Sequence, residues 1–168
     1  IAIWEVEEYT ITYNLNGGTL SKNNLVTYNI ETETFTLNNP TKEGYEFIGW
    51  TGTGLSSVTK TVTITKGSTG DRSYTANYKA KTYTLTCFLE GGTLSKSNPT
   101  GYDINTTTFT LNNPTKEGYE FIGWTGTGLN EPTLTVTIAK GSTGDREYIA
   151  IWEVEEYTIT YNLNGGTL

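Results

Sequence analysis

The sequence predicts a mainly β fold made of small tandem modules with little or no helix, and three observations carry that expectation. The chain repeats itself without gaps every 74 residues: Tyr9, Tyr83 and Tyr157 open successive copies, and 50 of 74 positions are identical between residues 9–82 and 83–156. Apolar and polar residues alternate with a period of two, the pleat of a half-buried strand. Thr is about a fifth of the chain, Tyr and Val recur, and no window of helical length carries a 3.6-residue apolar stripe.

Within one module the elements follow in order. Tyr9, Ile11, Tyr13 and Leu15 alternate with Thr10, Thr12 and Asn14 and read as a first strand, which Asn16-Gly17-Gly18 ends in a turn. The stretch from Asn23 to Glu33 is open to three readings: loop, short strand or helical turn. Phe35 and Leu37 begin a second strand, closed by Asn38-Asn39-Pro40, where proline removes an amide donor and biases its predecessor away from helix. Tyr45 to Trp50 reads as a third strand. After the loop Thr51-Gly52-Thr53-Gly54, the residues Val58, Val62 and Ile64 mark a fourth. Lys66-Gly67-Ser68-Thr69-Gly70-Asp71 then turns the chain into a fifth, with Tyr74, Ala76 and Tyr78 inward. Linkers are expected at Lys79–Thr82 and Glu153–Glu156.

The expected domain organisation follows from the period. Residues 1–8 are the last strand of a preceding repeat, 9–82 and 83–156 are two modules with their linkers, and 157–168 are the first strand of a following repeat. The first 20 residues recur unchanged as the last 20, so the repeating unit is expected to be a 148-residue pair and the chain a window cut from a longer array. The end strands are apolar edges that need partners, supplied by covalent continuation or by head-to-tail complementation between chains.

The order of residues resembles the Listeria-Bacteroides repeat, also called the internalin B-repeat family. Three elements carry the likeness: Tyr13-Asn14-Leu15-Asn16-Gly17-Gly18; Pro40-Thr41-Lys42-Glu43-Gly44-Tyr45-Glu46-Phe47-Ile48-Gly49-Trp50, repeated at Pro114 to Trp124; and Tyr148-Ile149-Ala150-Ile151-Trp152, with Tyr74-Thr75-Ala76-Asn77-Tyr78 as a looser version. The resemblance implies a small β-grasp-like module found in tandem on bacterial surface proteins, and it brings no catalytic residue with it. Two departures stand out: Glu90 replaces the turn asparagine in the second copy, and Tyr78 the closing tryptophan in the first.

Composition narrows the function classes. A net charge of -7 argues against nucleic acid and anionic membranes, which demand clustered cations, and no run approaches the length of a spanning helix. Without histidine, a serine or cysteine nucleophile lacks its usual base, and one cysteine gives zinc too few ligands. Cys87 takes the place of Tyr13 and reads as a buried, inert thiol. The pairs Glu43/Glu46 and Glu155/Glu156 have the groups for glycoside hydrolysis, but acidic pairs on strand edges more often keep a surface soluble. Lys66-Gly67-Ser68-Thr69-Gly70 holds the letters of a phosphate loop in the wrong order, and Asp71 or Asp145 alone gives calcium too few oxygens. Asn105-Thr106-Thr107 fits a glycosylation acceptor, uninformative in a bacterial setting. No cofactor and no metal is expected, and no enzymatic activity.

Tyr45, Phe47, Trp50, Tyr119, Phe121 and Trp124 are expected to form the structural core motif. The differences between copies concentrate in the first and last strands: Asn14 becomes Phe88, Thr75 becomes Ile149 and Asn77 becomes Ile151. By strand parity these three face away from the core, so Phe88, Ile149 and Ile151 are expected to form a packing interface with a neighbouring module or chain. The expected function is a structural segment of a bacterial cell-surface or extracellular protein, a stalk or fibre displaying an adhesive domain. The alternatives are a multivalent module that binds a host protein or glycan, and an accessory domain of an enzyme. Expected partners are neighbouring repeats or identical chains, with a host surface protein or glycan as the other possibility.

Overall fold

The computed structural model describes residues 1–162 and 164–166, and among them there are strands and turns but no helix. The chain is mainly β, as its alternation predicts. It divides into two compact units, Ile1–Lys81 with Asp103–Asn105, and Thr82–Tyr102 with Thr106–Leu168.

The first module contains β1 (Tyr9–Asn14), β2 (Thr27–Tyr28), β3 (Phe35–Thr36), β4 (Tyr45–Gly52), β5 (Thr63–Ile64) and β6 (Arg72–Ala80). Its main sheet has the order β2-β1-β6-β4, in which β1 and β6 run parallel and the outer pairs antiparallel; β3 and β5 form a separate two-stranded ribbon. A parallel pair cannot be joined by a tight turn, so the chain between Asn14 and Arg72 is one long connection, which supplies the sheet's two edge strands, β2 and β4, and the separate β3–β5 ribbon. Ile11, Tyr28, Leu37, Trp50, Val62, Ile64, Tyr74 and Ala76 form the core.

The second module repeats the plan with β7 (Tyr83–Phe88), β8 (Gly101–Tyr102), β9 (Phe109–Thr110), β10 (Tyr119–Gly126), β11 (Thr137–Ile138) and β12 (Arg146–Val154). Its sheet order is β10-β12-β7-β8, with β9 and β11 as the ribbon. Leu85, Tyr102, Leu111, Trp124, Val136, Ile138, Tyr148 and Ala150 make its core.

A bulge interrupts the β4–β6 ladder between Phe47 and Gly49. Gly49 has φ +141°, and a Cβ there would sit 2.8 Å from the Thr59 carbonyl carbon. Only glycine fits, because the backbone of Thr59 lies directly against it and exchanges two hydrogen bonds with Trp50, at 2.8 and 2.9 Å.

The structure departs from the sequence reading at three places and resolves a stretch that the sequence left open. Val58 to Ile64 is not one strand: Thr59 is held by Trp50 at the edge of β4, while Thr63–Ile64 pairs with β3, so the ladder is split between two partners and Val58 is left exposed. The open stretch from Asn23 to Glu33 contains the short β2. The Lys79–Thr82 linker shrinks to two residues, since β6 continues through Ala80 opposite Tyr45, and β12 likewise continues through Val154 opposite Tyr119. Residues 1–8 form no strand and are exposed, nor do 157–162 and 164–166. Of the segment expected to be the first strand of a following repeat, Leu163, Thr167 and Leu168 lie outside the described residues.

Candidate functional site

The aromatic motif builds the interior. Trp50 and Trp124 are fully buried, and each indole N–H donates to the side-chain oxygen of the asparagine preceding the motif proline, Asn39 at 2.9 Å and Asn113 at 3.0 Å. That bond offsets the desolvation of the one polar atom each ring carries. Phe47 and Phe121 are partly buried, edge-on to these tryptophans with ring centroids 5.5 and 5.4 Å apart. Tyr45 and Tyr119 correct the expected core motif. Both lie at the rim, outside the core clusters, Tyr45 half-buried and Tyr119 36% exposed, at the first residue of β4 and of β10. There they receive Lys42 and Lys116, whose ammonium groups lie 4.5 and 4.0 Å from the ring centroids. The same lysines donate to the turn carbonyls of Asn16 and Glu90, at 2.9 and 3.1 Å. Each is a latch between the motif and the first turn.

The residues with chemical potential are likewise committed to structure. Asp71 Oδ1 accepts the Thr10 amide at 2.7 Å and the Thr10 hydroxyl at 3.0 Å, which holds the Asp71 carboxyl below its ordinary range. Asp145 Oδ1 accepts the Thr84 amide at 2.7 Å. Each carboxylate caps the start of the parallel ladder. Lys66 to Gly70 is the turn that carries the chain from β5 in the ribbon to β6 in the main sheet, with Gly67 and Gly70 at φ +85°. Cys87 is half-buried and packs against the core, and burial pushes its thiol up, away from the reactive thiolate.

What remains is the outer face of each main sheet, where the two modules differ. In the first module Asn14 lies opposite Thr75, Thr51 opposite Thr75, and Gly49 opposite Asn77. The Asn77 amide donates to Gly49 O at 3.3 Å, Thr51 Oγ1 at 3.1 Å and Thr75 O at 3.0 Å. This is a hydrogen-bonded polar face. In the second module Phe88 lies opposite Ile149, Thr125 opposite Ile149, and Gly123 opposite Ile151. The ladder thus brings Phe88 and Ile149 side by side, with Ile151 one pleat further along the same face of β12. Phe88 is 43% exposed, and the two isoleucines are half-buried.

Sequence reasoning missed the rim of this patch. Glu46 lies opposite Lys79 and pairs with Lys60 at 3.1 Å. At the equivalent positions Glu120 lies opposite Glu153, and Lys60 is replaced by Leu134, which is 56% exposed. The substitutions are visible in the aligned copies, but only the register shows that positions 46, 60 and 79 meet.

A family model of the Listeria-Bacteroides repeat domain matches residues 9–77 and 83–145. Two proteins of Evansella cellulosilytica align over 99% of the chain: one named "Putative membrane protein", 30% identical over 172 residues, and one named "Putative Gly-rich membrane protein", 28% identical over 173 residues. The chain spans only 24% and 18% of the lengths of these curated relatives. No solved structure matches it significantly.

Proposed function

The chain belongs to the Listeria-Bacteroides repeat domain family, a repeat family of bacterial surface proteins, and from that premise we propose that it is a non-enzymatic structural segment of a cell-surface or extracellular protein. Its modules form a stalk or fibre that holds an adhesive or other functional domain away from the cell. The supporting observation is that each 74-residue copy encloses its own core of eight buried residues and spends its motif side chains on that core and its turns. Such units supply length and spacing by repetition. The outer face of the second module, with Phe88, Ile149 and Ile151, is the surface that packs against a neighbouring module or chain.

Electron microscopy of a recombinant array of several 148-residue pairs tests this. Rods with a fixed axial repeat are expected; unassociated flexible beads would overturn the stalk reading. The exposed apolar patch also favours a second reading, in which the repeats bind a host protein or glycan and gain avidity from their number. Randomising the outward residues separates the two: a spacer keeps its length and display function, whereas a receptor site loses its ligand.

A further inference from the structure

The two modules share a fold but not a charge. Residues 9–82 hold six lysines and one arginine against five acidic residues, a net charge of +2; residues 83–156 hold three lysines and one arginine against ten, a net charge of -6. Part of the difference falls on one surface, the outer face of the main sheet. There Ser73 is replaced by Glu147, Lys79 by Glu153 and Lys60 by Leu134.

The consequence follows from the register. In the first module Glu46 has two cations, Lys79 opposite it and Lys60 at 3.1 Å. In the second, Glu120 faces Glu153, and both are exposed. Like charges directly opposite across a ladder destabilise it, and here they rim an apolar centre of Phe88 and Ile149. Two such faces brought together would set glutamate against glutamate. The basic face of the first module offers the complement: Lys60 and Lys79 at its rim, and Thr12, Thr51 and Thr75 between them as a flat surface for the apolar groups.

We propose that the acidic, apolar outer face of the second module docks on the basic outer face of the first module in another copy of this chain. The contact joins two different surfaces, so it is heterologous, and a heterologous contact that does not close extends into a filament. Charge complementarity sets the partner and the register: each acidic face selects a basic one and rejects its own kind. The inference concerns association between chains and stands whether or not the array serves as a stalk.

Sedimentation velocity of the full chain tests it. Association is expected at about 20 mM salt, weakened by roughly tenfold or more at about 300 mM as the ion pairs are screened. Lys60→Glu with Lys79→Glu makes both faces acidic, and Glu120→Lys with Glu153→Lys makes both basic. Each double variant is expected to stay monomeric alone, and an equimolar mixture to associate again. Phe88→Asn with Ile149→Thr and Ile151→Asn gives the second module outer residues with which the first already folds, and is expected to abolish association with the circular dichroism spectrum unchanged. The proposal is overturned if the wild-type chain stays monomeric at low salt, if its association ignores salt, if either charge variant alone associates as well as wild type, or if mixing restores nothing. Salt-dependent compaction without concentration dependence would overturn it too, by placing the contact within one chain.

Discussion

Tyr78 donates its hydroxyl to the backbone carbonyl of Leu15 at 3.0 Å, closing the last strand of the first module onto the end of its first strand. In the second module Trp152 stands at that position, and its indole N–H donates to the equivalent carbonyl, Leu89, at 3.1 Å. Two side chains of different size and chemistry therefore make the same bond. The space they need comes from the second glycine of the turn: a Cβ at Gly18 would lie 1.9 Å from the Tyr78 hydroxyl oxygen, and one at Gly92 would lie 2.5 Å from the Trp152 ring. Tyr78, a departure from the repeat pattern in sequence, is an equivalent in function.

Gly18→Ala is therefore expected to destabilise the first module by about 1–3 kcal/mol, the range for overpacking a filled site. In a Tyr78→Ala background the same substitution should cost much less, because the crowding atom is gone. Tyr78→Trp should fold, with a Tm within a few degrees of wild type. Urea denaturation of the four variants checks this; a Gly18→Ala cost unchanged by Tyr78→Ala would show that the crowding lies elsewhere.

Separate cores predict separate melting. Trp50 is fully buried at the centre of the first core, and removing such a side chain costs about 3–5 kcal/mol, comparable with the whole stability of a small domain. Trp50→Ala is expected to split calorimetric unfolding into two transitions, with the second module melting near its wild-type temperature. Trp124→Ala should do the reverse. One transition displaced as a whole would mean that the modules unfold as a unit.

Legibility in the sequence tracked how local the determining interaction is. Alternation at Tyr9–Leu15 and at Tyr74–Tyr78 exposed two long strands, because each residue's facing is set by its own pleat. The stretch around Asn24 was opaque for the opposite reason. Its order depends on the Asn24 side-chain amide, which accepts the Asn38 N–H at 2.6 Å and donates to Asn38 O at 3.1 Å, standing in for a backbone pair across fourteen residues. Val58 misled because its spacing to Val62 fits a strand, whereas Thr59 belongs to the edge of β4. Phe88, Ile149 and Ile151 could be read by comparing the copies. Glu120, Leu134 and Glu153 could not, since their meeting depends on the bulge and register of β10 and β12.

Asp71 makes the first module acid-sensitive. Its folded pKa is depressed, first by the Thr10 amide and then by the Thr10 hydroxyl, so the folded state binds its proton less readily than the unfolded chain does. The stability this contributes is present above the unfolded value of about 3.9 and is lost as pH falls through the lower folded value. Asp71→Asn is expected to lower stability at neutral pH and to flatten the acid limb of a stability–pH curve. An acid limb as steep in the variant as in wild type would assign the effect to other carboxylates.

At the other end of the scale, Tyr13 makes the same module alkali-sensitive. Burial, and then the neighbouring Tyr74, push its phenol up to about 12, while in the unfolded chain it ionises near 10. The raised value means that the folded state keeps a proton the unfolded state has released. Its contribution is complete below about pH 10 and is lost as pH rises towards 12. Since the ring is only half-buried, the loss is expected to be well under about 2 kcal/mol. An ionised Tyr13 can also no longer donate to Leu25 O, now at 2.9 Å. Tyr13→Phe removes the titrating proton but keeps the ring beside Trp50 and Tyr74, at centroid distances of 6.0 and 6.3 Å. The variant should lose about 1 kcal/mol at pH 8 with the bond, and should then hold its stability better than wild type between pH 10 and 12. Spectrophotometric titration of the phenols with urea melts at each pH checks both parts, and parallel stability curves for the two proteins would remove Tyr13 as the alkaline trigger.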